Sequence, residues 1–267
     1  MPTLDLSHGG RLYYELKGAP SAAAVVVFLN GTAQTTVAWT EQARALNPRF
    51  RTLCYDARTQ GRKSRLGDAR PGLDLHSGDL AHLLDHLELE RVHLVGISHG
   101  ALLALAFSSR FKDRIQSLAL INPGNPVGGR TRTALAAWRR ILAAGDMQML
   151  AWCMLPLVLG EKYLNAHQPV LQGMVKAIAA RNRLPALEAH LAAMADYPPL
   201  ASFVDAALPP TLFITGADDP LSDPQAIGRL AAAHGHRHRN LPGAGHSLPI
   251  EAPGRCAQLL ESWLSAS

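Results

Sequence analysis

A chain of 267 residues is long enough for one domain with a full core and an added lid. Apolar residues at 48% and charged residues at 18% exclude extended disorder. The formal charge of +5 is spread along the chain without a zinc-finger, basic-region or RNP pattern, which argues against nucleic-acid binding, and no apolar run reaches membrane-spanning length.

Residues 1–15 carry Asp5, His8, Arg11 and Glu15 and no apolar targeting segment, so a cytoplasmic location is expected. Residues 11–16 (RLYYEL) alternate with period two and predict an antiparallel strand at the edge of a sheet. Residues 25–30 (VVVFLN) are apolar almost without a break, as are residues 52–55, 92–97, 118–121 and 212–215. Strands apolar on both faces suit a parallel sheet covered by helices on both sides. Helical period lies between them. Leu80, Leu83, Leu84 and Leu87 form one stripe, residues 101–111 are strong helix formers, and Pro253 opens a helix over 253–264. Strand and helix in alternation predict a doubly wound α/β fold.

The alternation breaks between residues 126 and 199, which read as a helical lid inserted between core segments 1–125 and 200–267. This stretch holds Trp138, Met147, Met149, Trp152, Met154, Met174 and Met194, punctuated by Pro156, Pro169, Pro185, Pro198 and Pro199. Trp138, Trp152 and Met154 are candidates to line a substrate pocket; large apolar residues there would equally seal a lid onto a core. Two basic clusters stand out: Arg130, Arg132, Arg139 and Arg140, and His236, Arg237, His238 and Arg239. Cys54, Cys153 and Cys256 are few, odd in number and far apart, which fits reduced thiols and no disulfide framework.

The sharpest motif is Gly96-Ile97-Ser98-His99-Gly100, after an apolar strand and before a helix. A serine at a sharp strand-to-helix turn needs small neighbours two residues away on either side. The turn lifts its hydroxyl above the sheet, beside a helix N-terminus that favours negative charge. A chance match to this pattern is common in glycine-rich chains; the strand and helix around it give it weight. A serine nucleophile needs a base. His246, in the glycine-rich loop before the last helix, is the candidate. A carboxylate must then orient the imidazole. Asp219, after the strand at 212–215, is the first choice, with neighbouring Asp218 as the alternative. The backbone N–H groups of Thr32 and His99 are the candidate oxyanion donors. Asn30 and Gly31 fall on the same loop and are further pocket candidates. His82 and His86 sit four apart on a helix but lack a third ligand in pattern. No metal and no organic cofactor is implied.

Taken together, these residues resemble the α/β-hydrolase superfamily over nearly the whole chain. Trp39 and the segment Asp56-Ala57-Arg58, Gly61 and Ser64 add to the likeness, although Thr59 replaces a glycine and one extra residue precedes Ser64. Some members carry the acid after the preceding strand, where this chain has Asn122-Pro123-Gly124-Asn125 and no carboxylate. The resemblance implies an α/β-hydrolase fold and an esterase or thioesterase that acts on a small-molecule acyl substrate. Asn30-Gly31-Thr32 with Ala33, Gln34, Thr35 and Thr36, and the lid stretch Leu159-Gly160-Glu161-Lys162-Tyr163, are similar to the 3-hydroxyacyl transferases of rhamnolipid and polyhydroxyalkanoate precursor synthesis. That likeness implies acyl carrier protein as a partner. Acyl transfer is thus the alternative activity, and a non-catalytic ligand-binding protein of the same fold is a second one.

Overall fold

Val26 and Phe28 pack on one face of their strand, while Val27 and Leu29 pack on the other. That double burial is why the apolar runs stack into one sheet with helices on both sides. The computed structural model describes residues 2–19 and 24–267. The strands are β1 (Thr3–Asp5), β2 (Arg11–Lys17), β3 (Val25–Leu29), β4 (Arg51–Asp56), β5 (Val92–Ile97), β6 (Ile115–Ile121), β7 (Thr211–Gly216) and β8 (Arg237–Leu241). They form an eight-stranded sheet in the order β1-β2-β4-β3-β5-β6-β7-β8. β2 runs antiparallel to β1 and β4, and the strands from β4 to β8 pair in parallel.

β2 is not the edge expected of it, because β1 pairs on its outer side. β1 has three residues with only Leu4 buried, too short to show a period. β8 forms the opposite edge and carries the basic cluster. Arg237 lies over the Trp263 ring at 5.4 Å, and His238 Nε2 lies 2.8 Å from Thr215 Oγ1. A charged edge strand discourages pairing with a second sheet.

The helices are α1 (Thr40–Leu46), α2 (Leu73–His86), α3 (His99–Phe111), α4 (Gly129–Ala143), α5 (Met147–Val158), α6 (Glu161–His167), α7 (Leu171–Arg181), α8 (Leu184–Met194), α9 (Pro224–Ala233), α10 (Leu248–Glu251) and α11 (Pro253–Leu264). α1 and α11 cover one face of the sheet; α2, α3 and α9 share a core with the other. Helices α4 to α8 all lie between β6 and β7. Because β6 and β7 are neighbours, the chain makes this excursion without interrupting the sheet. Leu135 and Trp138 of α4, Met154 of α5 and Leu187 of α8 join the core of the α2 and α3 face. Ala151 and Leu155 of α5 meet Leu171 and Val175 of α7 in a small core of their own. No helix among the described residues is long and apolar enough to cross a membrane. Cys54, Cys153 and Cys256 are all free, and burial pushes the thiols of Cys54 and Cys256 up to about 12.

Backbone packs closely on backbone at the start of α3. A Cβ on Gly100 would sit 2.1 Å from the Leu29 carbonyl oxygen, and one on Gly96 would sit 2.3 Å from the Gly100 carbonyl oxygen. Both obstacles are backbone and cannot swing away. Gly100→Ala should therefore force α3 off β3 and lower stability by about 3 kcal/mol or more, read from the urea unfolding midpoint. A loss below about 0.5 kcal/mol would mean that this approach is not a constraint.

Candidate active site

Ser98 stands between β5 and α3 with φ 53° and ψ −117°, outside the regions that a residue with a Cβ adopts freely. Its N–H donates to the Ile121 carbonyl of β6 at 2.9 Å, which holds the strained turn. Strain of this kind persists only where the surroundings impose it. His99 is the first residue of α3, so its backbone N–H lies in the turn that has no partner within the helix.

His246 and Asp219 come together from two loops 27 residues apart: His246 Nδ1 lies 2.7 Å from Asp219 Oδ2, and both residues are buried. Asp219 Oδ1 accepts from the N–H groups of Leu221 at 2.8 Å and Ser222 at 3.2 Å. Burial works to raise the Asp219 carboxyl, but the imidazole and these donors outweigh it, and the group lies below its ordinary value. Asp218 is exposed, and its own N–H is tied to the Ala244 carbonyl at 3.0 Å. The two aspartates thus lie on opposite sides of one turn, and Asp219 is the one that faces His246.

Ser98 and His246 line one cavity of about 420 Å³ between the sheet and the inserted helices. Gly31, Thr32, His99, Trp138 and Met154 line it too. Two expected lining residues fall elsewhere. Trp152 is 40% exposed, because residues two apart on a helix point about 200° apart and Met154 takes the inward face of α5. Asn30 turns into the core. Its Nδ2 donates to the Tyr55 carbonyl at 2.9 Å, Asp56 Oδ1 at 3.2 Å and Gln60 Oε1 at 3.2 Å, and its Oδ1 accepts from Trp39 Nε1 at 3.0 Å. Asp56 also accepts from the Thr36 N–H at 2.8 Å, and burial raises its carboxyl to about 6 against these donors. This network pins both ends of the loop that carries Thr32. Thr32 Oγ1 itself reaches His190 Nε2 at 3.3 Å and Met194 Sδ at 3.4 Å.

Two residues not anticipated from the sequence hold the His246 loop. Asn122 is buried with φ 41°; its Nδ2 donates to the carbonyls of Gly245 at 3.1 Å and His246 at 2.7 Å, and its Oδ1 accepts from the Gly216 N–H at 2.8 Å. An amide can bridge a carbonyl and an N–H at once; a carboxylate could only accept. The Glu251 carboxylate accepts from three backbone N–H groups, those of Gly245 at 2.8 Å, Ser247 at 2.9 Å and Gly160 at 2.8 Å. It joins the His246 loop to the inserted segment. A helix-borne acid five residues after a candidate histidine has no distinctive spacing to single it out in the sequence.

His82 and His86 are exposed, and among the described residues they gather no third ligand. Arg130, Arg132, Arg139 and Arg140 are exposed on α4, and among the described residues none forms an ion pair with a carboxylate.

Residues 26–259 match the sequence model described as the alpha/beta hydrolase family. The chain is similar to the protein named carbamate hydrolase RutD of Pantoea ananatis (strain LMG 20103), 25% identical over 95% of this chain and 93% of that protein. Among solved structures it is similar to the enol-lactonase from Burkholderia xenovorans LB400, with a TM-score of 0.89 and 25% identity over 99% of this chain and 100% of that one. A hydrolase from Pseudomonas aeruginosa PA01 gives a TM-score of 0.85 and 30% identity over 98% of this chain and 97% of that one.

The Glu251 contacts generate one expectation independent of any reaction. Glu251→Ala leaves three partly buried N–H groups without their acceptor and should cost about 2 kcal/mol. Amide hydrogen exchange at Gly245 and Ser247 should quicken at least about tenfold, while β5 stays protected. Unchanged exchange in that loop would show that Glu251 does not hold it.

Proposed function

We propose a function from the premise that this chain belongs to the alpha/beta hydrolase family: it is a serine hydrolase that cleaves a carboxylic ester or thioester of an apolar acyl substrate. The observation that carries this reading is the shared cavity. Ser98 and His246 both line it, and Asp219 Oδ2 lies 2.7 Å from Nδ1 of the imidazole.

In this reading the Ser98 hydroxyl attacks the acyl carbonyl while His246 Nε2 takes its proton. Asp219 keeps the Nδ1–H directed at itself and balances the imidazolium that forms. The backbone N–H groups of Thr32 and His99 receive the oxyanion, the latter aided by the positive end of α3. His246 returns the proton to the leaving oxygen or sulfur, which departs and leaves an acyl ester on Ser98. Water, deprotonated by the same imidazole, then attacks that ester and frees Ser98. Leu102, Leu135, Trp138, Met154, Val158 and Ile178 are among the apolar residues that line the cavity, so affinity comes from burying an apolar acyl chain. Helices α4 to α8 act as the lid that keeps bulk water from the acyl enzyme.

A second reading uses the same groups for transfer to a hydroxyl or thiol. The exposed arginines of α4 favour it, since an acidic acyl carrier protein would complement them.

Four measurements test these readings. A fluorophosphonate probe should label wild type and leave Ser98→Ala unlabelled; a folded wild type that takes no label would make the chain a binding protein. Ser98→Ala should lower ester turnover at least about 1000-fold with little change in stability. Asp219→Asn should lower it at least about 100-fold and Asp218→Asn less than about threefold, and the reverse ranking would move the orienting role to Asp218. Product analysis with a medium-chain 3-hydroxyacyl thioester on acyl carrier protein should give free hydroxy acid. A dimeric hydroxyacyl ester would instead establish the transferase.

A further inference from the structure

Three imidazoles converge behind the wall of the cavity. His76 comes from α2, His99 from α3 and His190 from α8, and a ring nitrogen of each lies within 4.8 Å of the others. The ring centroids are 4.4 Å apart for His99 and His190 and 5.9 Å apart for His76 and His99. Each residue is only 1% exposed.

The hydrogen bonding of this cluster is incomplete. Both ring nitrogens of His76 are buried without a partner. A neutral imidazole has one donor and one acceptor, and native proteins seldom bury both unpaired. The remaining bonds are long: His190 to the hydroxyls of Thr32 and Thr59 at 3.3 Å each, and His99 Nε2 to the Tyr197 hydroxyl at 3.3 Å. Burial pushes all three imidazoles below their ordinary value, toward the neutral form that ligates metals.

We propose that His76, His99 and His190 form a binding site for one divalent transition-metal ion of the zinc or cobalt type. The donor set selects the ion: imidazole nitrogens without a carboxylate suit Zn²⁺, Co²⁺, Ni²⁺ or Cu²⁺ and not Mg²⁺ or Ca²⁺. Zinc-nitrogen bonds of 2.0–2.1 Å in a tetrahedron set ligand atoms roughly 3.4 Å apart, so the rings must draw together by about an ångström. Arg58 disfavours positive charge at His76, and its bonds to Asp79 at 2.7 and 2.8 Å offset part of that repulsion. His99 of the cluster itself lines the cavity, as do Thr32 and Met194, so the cavity marks the route of entry. α2 and α3 cover the sheet, whereas α8 belongs to the inserted segment, so a bound ion would tie the two together. The serine chemistry proposed above requires no ion, and this site stands or falls apart from it.

Chelator-treated, dialysed full-length protein titrated with Co²⁺ should develop visible d–d absorption that saturates at one ion per chain. Excess Zn²⁺ should raise Tm by roughly 5 °C or more. His76→Leu removes two unpartnered nitrogens and no hydrogen bond, so it should fold; its cobalt binding should weaken at least about 100-fold. His82→Ala combined with His86→Ala removes the exposed pair on the same helix and should leave the spectrum unchanged. Should His76→Leu not fold, nitrogen-15 NMR of the imidazoles in wild type decides without a variant, since Zn²⁺ must shift His76, His99 and His190 before any other histidine. The proposal is overturned by a folded wild type without a saturable spectrum, by undiminished binding in folded His76→Leu, or by shifts confined to exposed histidines.

Discussion

The rest of this structure hangs on how closely α3 approaches β3 and β5. Gly100 lies against the Leu29 backbone with no room for a Cβ, and Gly96 lies in the same way against Gly100. A helix brought this near its sheet must start abruptly, and the residue at the corner is driven to positive φ. Ser98 occupies that corner. Its hydroxyl is presented above the sheet because the backbone has no gentler path. The same geometry leaves the first N–H groups of α3 unbonded within the helix and directs its positive end at the same point. The proposed nucleophile and the proposed anion site thus share one packing constraint.

A strained corner is useful only if its partners are held to it. Here that is done with buried or half-buried polar side chains bonded to backbone. Asn30 with Asp56 and Gln60 pins the Thr32 loop, Asn122 bridges the ends of β6 and β7 to the His246 loop, and Glu251 gathers three N–H groups from that loop and the inserted segment. Each such bond contributes only about 1 kcal/mol net, but a missing partner costs more than that. This asymmetry makes the loops specific in position while adding little to total stability.

The residues legible in the sequence are those whose chemistry or conformation leaves a local mark. Gly96 and Gly100 bracket Ser98, and apolar runs mark the central strands. β1 was not legible because three residues show no period. Asp218 and Asp219 are equivalent as neighbours in sequence; the turn after β7 separates them, and Asp219 alone gains His246. Trp152 and Met154 look alike as large apolar residues, yet a helix sends them to opposite sides. In sequence Asn122 stands out only as the absence of a carboxylate, although its amide does what a carboxylate cannot. His76, His99 and His190 have no common spacing, and only the packing of α8 on α2 and α3 unites them.

Thr59 shows how a small departure in one loop can reach the inserted segment. It replaces a glycine in the Asp56-Ala57-Arg58 loop, and its hydroxyl meets His190 of α8 at 3.3 Å. Thr32, on the candidate oxyanion loop, meets the other nitrogen of the same ring. His190 therefore senses both loops from within the inserted helices, and any movement of α8 must break contacts to each. In the proposed function, the choice between water and another acyl acceptor would not lie in Ser98, His246 or Asp219, which would serve both alike. It would lie in how tightly α4 to α8 close over the cavity, and His190 of α8 bonds to both loops beneath them. On that proposal, control of the reaction's outcome falls to contacts that do not touch the reacting atoms.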